Sequence, residues 1–183
     1  IPLRLVGSEM CIRDRYYSDQ VCDAISKLSQ RLDWNVIDKV LQAIHDSDSV
    51  AFFGTQFSHS AALHFQTDLL MLEKFTMAYM ETERQIDCAR LMDENSVAII
   101  VTVNGFYARS NSKVLQYLKK SKCKVVLMTN NPGIDIGINV NYTIVLGDSE
   151  QRKIGKHTLL TAVELMSLRY YSLYYPGIQE KII

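Results

Sequence analysis

A chain of 183 residues, 48% of them hydrophobic, is long enough for one domain with a buried core. Its 20 Lys and Arg balance 20 Asp and Glu, so no long-range field draws it to nucleic acid or acidic lipid, which argues against duplex DNA binding by this fragment alone. No apolar run approaches the roughly 20 residues of a membrane span. Four scattered cysteines (Cys11, Cys22, Cys88, Cys123) without a C-x-x-C pair point to reduced thiols in a cytoplasmic protein rather than a disulfide frame or zinc site.

Residues 1–15 show neither a helical nor a strand period. The string Leu-Val-Gly-Ser-Glu-Met-Cys-Ile-Arg-Asp-Arg reads as translated adapter sequence, with a disordered natural tail as the alternative. Residues 16–48 are expected to form a helical lead-in. Val21, Ile25, Leu28 and Leu32 make one stripe; Asp33 caps a second helix in which Ile37, Val40, Leu41 and Ile44 make another. These helices are candidates for a dimer surface or a link to a preceding domain, and packing onto a sheet is the equal alternative.

Residues 49–183 read as strands alternating with helices. Val50–Phe53 is a wholly apolar run suited to a strand buried on both faces. Gly54 ends it, and from Ser58 the period becomes helical, with Ala61, Phe65, Leu69 and Leu72 on one stripe. Lys74–Met80 is expected as a second strand, and Glu81–Met92 as a helix with Ile86, Ala89, Leu91 and Met92 inward. The β-branched run from Ser96 to Val103 and the stretch Lys124–Thr129 are further buried strands. A helix carrying Val114, Leu115 and Leu118 separates them, and Asn141–Gly147 holds the last strand. Residues 154–174 form a long helix with apolar residues on more than one face (Leu159, Leu160, Val163, Leu165, Met166, Leu168), which suggests the core on one side and a second subunit on the other. The alternation predicts an α/β fold, a doubly wound open parallel sheet of about five strands in a three-layer αβα arrangement.

In such a sheet ligands bind where loops leave the carboxyl ends of the strands. Three loops qualify: Gly54-Thr55-Gln56-Phe57-Ser58, Thr102-Val103-Asn104-Gly105-Phe106-Tyr107, and Thr129-Asn130-Asn131. Hydroxyls and amides of this kind hydrogen-bond phosphate or sugar without a metal, and the same residue types also serve turns and helix caps. His59 is the one histidine on a candidate loop and reads best as an exposed helix-start residue. Glu150 reads as a first-turn acid. No catalytic residue, cofactor or metal is assigned.

From Ser18 onward the chain resembles the sugar-isomerase (SIS) domain, and more narrowly the C-terminal effector domain of RpiR-type bacterial transcriptional regulators. The resemblance lies in Phe-Phe-Gly-Thr-Gln-Phe-Ser-His-Ser-Ala-Ala, in the loop after Ala-Ile-Ile-Val-Thr, in Lys-Val-Val-Leu-Met-Thr-Asn, and in the final helix after Glu150-Gln-Arg. It implies a sugar-phosphate ligand, a homodimer, and DNA contact only through a helix-turn-helix domain ahead of this one. The implied ligand residues are Gly54, Thr55, Gln56, Ser58, Thr102, Asn104, Gly105 and Tyr107. The family's first loop is Gly-x-Gly-x-Ser, with Gln56 here for the second glycine; its second is Ser-x-Ser-Gly-x-Thr, with Thr102, Asn104 and Tyr107 at the hydroxyl positions. Gln56 is expected to narrow the approach to a phosphate, and Tyr107 to add bulk where a small hydroxyl would sit. The alternatives are a sugar-phosphate isomerase, or a dimerisation module with a degenerate pocket.

Overall fold

The computed structural model describes residues 3–147 and 154–176, with side chains from residue 12 onward. Five strands, β1 (Ser49–Phe53), β2 (Met77–Ala78), β3 (Ser96–Val101), β4 (Lys124–Thr129) and β5 (Tyr142–Val145), form one sheet in the order β2-β1-β3-β4-β5. Every pairing is parallel, with Phe52 opposite Ile99 and Ile99 opposite Val126. The central strand β3 is buried along its whole length, as its unbroken apolar run requires.

Among the described residues, seven helices flank the sheet: α1 (Leu3–Arg31), α2 (Trp34–Asp46), α3 (Phe57–Met71), α4 (Thr82–Leu91), α5 (Phe106–Ser110), α6 (Ser112–Ser121) and α7 (Gly155–Tyr174). Alternate residues of each strand feed two separate cores. Val50, Phe52, Val97, Ile99 and Val126 pack beneath Ile37, Leu41 and Ile44 of α2, Phe65 and Leu69 of α3, and Leu159, Val163 and Met166 of α7. Ala51, Phe53, Ala98, Ile100 and Val125 face the other way, onto Cys88 and Ala89 of α4 and Val114, Leu115 and Leu118 of α6. These are the three layers expected. Burial raises the Cys88 thiol pKa to about 11, so it stays protonated and behaves as a small apolar side chain.

Asp33 caps α2 as expected, its Oδ1 accepting from the N–H groups of Asn35 and Val36 at 3.0 and 3.2 Å. Further along, Asp38 of α2 holds Arg169 of α7 through two parallel bonds of 2.9 and 2.8 Å.

Four expectations are corrected. The backbone is helical from Leu3, so the segment set aside as aperiodic continues into α1; residues 12–19 of that helix are exposed, and of these Tyr17 touches α7 at His157. Ile25 likewise points outward, and Ala24 takes its place beside Leu28 in the core. The strand expected over Lys74–Met80 shrinks to Met77–Ala78, because β2 is an edge strand paired only to β1. On α4, Leu91 is 81% exposed and the inward polar residue is Gln85, 1% exposed. Among the described residues no helix is long and apolar enough to cross a membrane.

Candidate functional site

The strand order reverses between β1 and β3: the chain passes from β1 to one edge, returns to β3, and builds the other half from there. At such a switch point the loops leaving two adjacent strands diverge and open a crevice. A cavity of about 550 Å3 lies there, within the usual range for small-ligand sites. Thr55, Gln56, Phe57 and Ser58 line one wall; Thr102, Val103, Asn104, Phe106 and Tyr107 line the other.

Close approach fixes the first wall. A Cβ on Gly54 would lie 3.0 Å from Ser58 Cβ and 3.3 Å from the Val101 carbonyl oxygen. The Ser58 N–H then closes a four-residue turn on the Thr55 carbonyl at 3.0 Å. Gln56, first of the two central residues, has φ +51° and ψ −122°, the conformation that a type II′ turn reserves for glycine. Gln56 is also the residue before the first turn of α3, and its side chain caps nothing. Among the described residues the hydroxyls of Thr55 and Ser58 have no hydrogen-bond partner, and both residues line the cavity.

In the second wall, Gly105 turns at φ +76°, where a Cβ would overlap Ile134. Thr102 is buried, and its hydroxyl oxygen accepts from the Tyr107 N–H at 3.3 Å, leaving its own O–H to donate. Tyr107 does not fill the cavity with bulk, contrary to the sequence expectation. Its ring is 2% exposed, packed in the α4–α6 core, and its phenol donates to Gln85 Oε1. Burial pushes that phenol's pKa up, so it stays protonated.

Two lining residues come from helices that the sequence did not connect to the loops. Lys156, in the first turn of α7, is the one charged side chain lining the cavity among the described residues; its Nζ lies 5.2 Å from the centre of the Phe57 ring. Tyr17 of α1 reaches the same space and pairs its hydroxyl with His157 Nε2 at 3.1 Å. Nothing in a linear reading could place either residue, because α1 and α7 meet the cavity only through tertiary packing.

Gly54 and Gly105 shape the loops without lining this cavity, and Gly105 borders a separate groove with Ile134 and Ile136. The third loop does not reach the cavity either. The Asn130 N–H and the Thr129 hydroxyl both bond the Val103 carbonyl, at 3.1 and 3.3 Å, so it buttresses the second loop from behind. His59 is not exposed: it is 7% exposed and does not line the cavity, and burial lowers its pKa against the opposing charge of Glu81. Glu150 and its neighbours, and the side chain of Cys11, lie outside the described residues.

Among the described residues one group, His64, Asp68 and Glu164, brings metal-ligand atoms within 4.8 Å of one another. It stands on the outer side of α3 and α7, away from the cavity. His64 Nε2 meets Glu164 Oε2 at 3.0 Å, which raises the imidazole pKa and ties the two helices together.

No family model matches the sequence, and no curated protein matches it. Solved structures do share its fold, at low identity. Vibrio vulnificus NanR, solved in complex with ManNAc-6P, superimposes with a TM-score of 0.78 at 15% identity, over 96% of this chain and 68% of that one. The sugar isomerase domain of an RpiR transcription factor from Sphaerobacter thermophilus gives 0.74 at 15% identity, over 85% of this chain and 87% of its own. Phosphoheptose isomerase GmhA from Neisseria gonorrhoeae gives 0.72 at 14% identity, over 89% of this chain and 99% of its own. The fold is thus the one common to SIS-domain regulators and phosphosugar isomerases.

Proposed function

We propose that this chain is the sugar-phosphate-sensing effector domain of an RpiR-type bacterial transcriptional regulator, binding its ligand without turnover. The observation that carries the reading is the cavity's lining. The hydroxyls of Thr55 and Ser58, the Thr102 O–H, the Asn104 amide and the Lys156 ammonium line one space at the start of α3. Neutral donors, a cation and a helix start together suit a dianionic phosphate with a hydroxylated body. The neighbour NanR carries ManNAc-6P, which makes amino-sugar phosphates the first class to try.

Binding rather than chemistry is favoured because, among the described residues, neither nearby imidazole lines the cavity. His59 is buried off the cavity, and His157 is paired with Tyr17. An aldose–ketose isomerase needs a base poised beside the substrate carbon. That second reading is favoured by the likeness to GmhA. The regulator reading also includes a cytoplasmic homodimer, with DNA contact through a separate helix-turn-helix domain.

Isothermal titration of hexose 6-phosphates and amino-sugar 6-phosphates, ManNAc-6P among them, tests the reading when each recovered sugar is assayed by NMR. Micromolar binding with the sugar unchanged is expected. Aldose-to-ketose conversion would replace the sensor with the isomerase. Failure of both the wild type and Gln56→Gly to bind any of them would leave a dimerisation module.

A further inference from the structure

The tie between the two cavity walls runs through a residue that does not touch the cavity. Gln85 of α4 is 1% exposed, and each polar atom of its amide has a partner. Its Nε2 donates to the Gly54 carbonyl at 3.0 Å and the Tyr79 carbonyl at 2.7 Å, with the Met80 carbonyl further off at 3.4 Å. Its Oε1 accepts from the Tyr107 phenol. The amide orientation is fixed chemically: turned over, it would set its oxygen against two carbonyl oxygens, neither of which can donate.

These partners belong to three different strand-end loops. Gly54 opens the wall that carries Thr55 and Ser58. Tyr79 and Met80 follow β2. Tyr107 closes the second wall and, through its N–H, holds the hydroxyl oxygen of Thr102. A continuous hydrogen-bonded path therefore runs from Gly54 through Gln85 and Tyr107 to Thr102. A buried amide satisfied on all sides is costly to disturb, since losing one partner leaves the others unpaired in a low-dielectric core.

From this geometry we infer that Gln85 is a positioning residue for the cavity, setting the spacing of the Gly54–Ser58 and Thr102–Tyr107 walls. The inference rests on the sugar-phosphate reading for its ligand, but the coupling of the walls does not depend on which ligand enters. Gln85 also gives the buried Tyr107 phenol its acceptor inside the core.

Two arms test it. In the first, Tyr107→Phe removes one hydroxyl from the second wall and leaves Gln85 in place. The backbone amide resonances of Thr55 to Ser58, on the opposite wall, should shift, whereas a Leu118→Val variant of the same core should leave them unmoved. In the second, ManNAc-6P is titrated into wild type, Gln85→Ala, Tyr107→Phe and the double variant. Affinity should fall on the order of tenfold in each single variant. The double variant should lose less than the two losses multiplied together, the sign of one shared path. If Gln85→Ala does not fold, the isosteric Tyr107→Phe decides alone. Unshifted first-wall resonances, or unchanged affinity in a folded Gln85→Ala, overturn the inference. A wild type that binds no phosphate ester overturns the sugar-phosphate reading instead, and the resonances then decide the coupling alone.

Discussion

The N–H of Ser58 bonds the carbonyl of Thr55 at 3.0 Å, and the turn so closed holds Gln56 at φ +51° and ψ −122°. The backbone of this wall keeps a conformation that suits glycine while a side chain occupies the position. Such a residue costs about 1–3 kcal/mol of local strain, while glycine there gives back roughly 0.4–1 kcal/mol through the freer unfolded chain. Gln56→Gly should therefore raise the melting temperature, by about 2–4 °C for a net gain near 1 kcal/mol. Gln56→Ala keeps the Cβ and should gain nothing. Calorimetry on the three proteins checks the pair of outcomes, and equal midpoints for Gly and Ala would remove the strain argument.

Ser58 lies inside the first turn of α3, beyond the capping position that Gln56 holds. Its hydroxyl is thus available to a ligand and owes nothing to the helix end. Ser58→Ala should leave the unfolding midpoint within the ±0.5 kcal/mol typical of neutral substitutions. Affinity for a phosphate ester should fall tenfold to a hundredfold, from the loss of a hydrogen bond to a charged group worth about 1.5–3 kcal/mol. Lys156→Met should weaken binding and also flatten its salt dependence, because the removed group is the charged one. Titration at low and high salt separates the two variants; identical salt slopes for wild type and Lys156→Met would place the ammonium outside the binding site.

Much of the fold was legible because its signals are local. The unbroken runs at Val50–Phe53, Ser96–Val103 and Lys124–Thr129 read as buried strands; all three form, the second ending at Val101, and they are buried except for Lys124. Asp33 read as a cap and is one. What escaped a linear reading depends on packing between distant segments. Nothing in the sequence singles out Gln85; only the fold surrounds it with three carbonyls and a phenol. Tyr107 read as an obstruction because a sequence gives a side chain's size but not its rotamer. Lys156 and Tyr17 reach the cavity from opposite ends of the chain.

Asp38 and Arg169 join α2 to α7 by a two-pronged bridge, and the guanidinium's hydrogen bonds lower the Asp38 pKa against a smaller opposing effect of burial. A carboxyl depressed in the folded state contributes stability above its unfolded pKa, near 3.9. That contribution is lost as pH falls through the lower, folded value. Both side chains are more than a third exposed, so solvent limits the pair to less than about 1 kcal/mol. Asp38→Asn should lower the midpoint slightly at pH 7, and the gap to wild type should close below about pH 4. Denaturant titrations across that range follow it; a gap that persists undiminished at pH 2 would assign the effect to packing.

The outer faces of α3 and α7 carry Leu63 and Leu70 (41% and 47% exposed) and Leu160 and Leu168 (42% and 55% exposed). Single exposed leucines are ordinary on a protein surface. Here two lie one helical turn either side of Glu164, which itself reaches across to His64, so the two helices present their apolar residues around one polar tie. A face of this kind suits pairing with its own copy about a two-fold axis, each leucine meeting an equivalent surface. The chain should therefore be a dimer at micromolar concentration by multi-angle light scattering. A Leu160→Lys, Leu168→Lys double variant should be monomeric, with its helical circular dichroism retained. The double variant separates this face from any other, because a dimer built through α1 would survive it. A monomeric wild type, or a double variant that still dimerises, would take the interface away from α3 and α7.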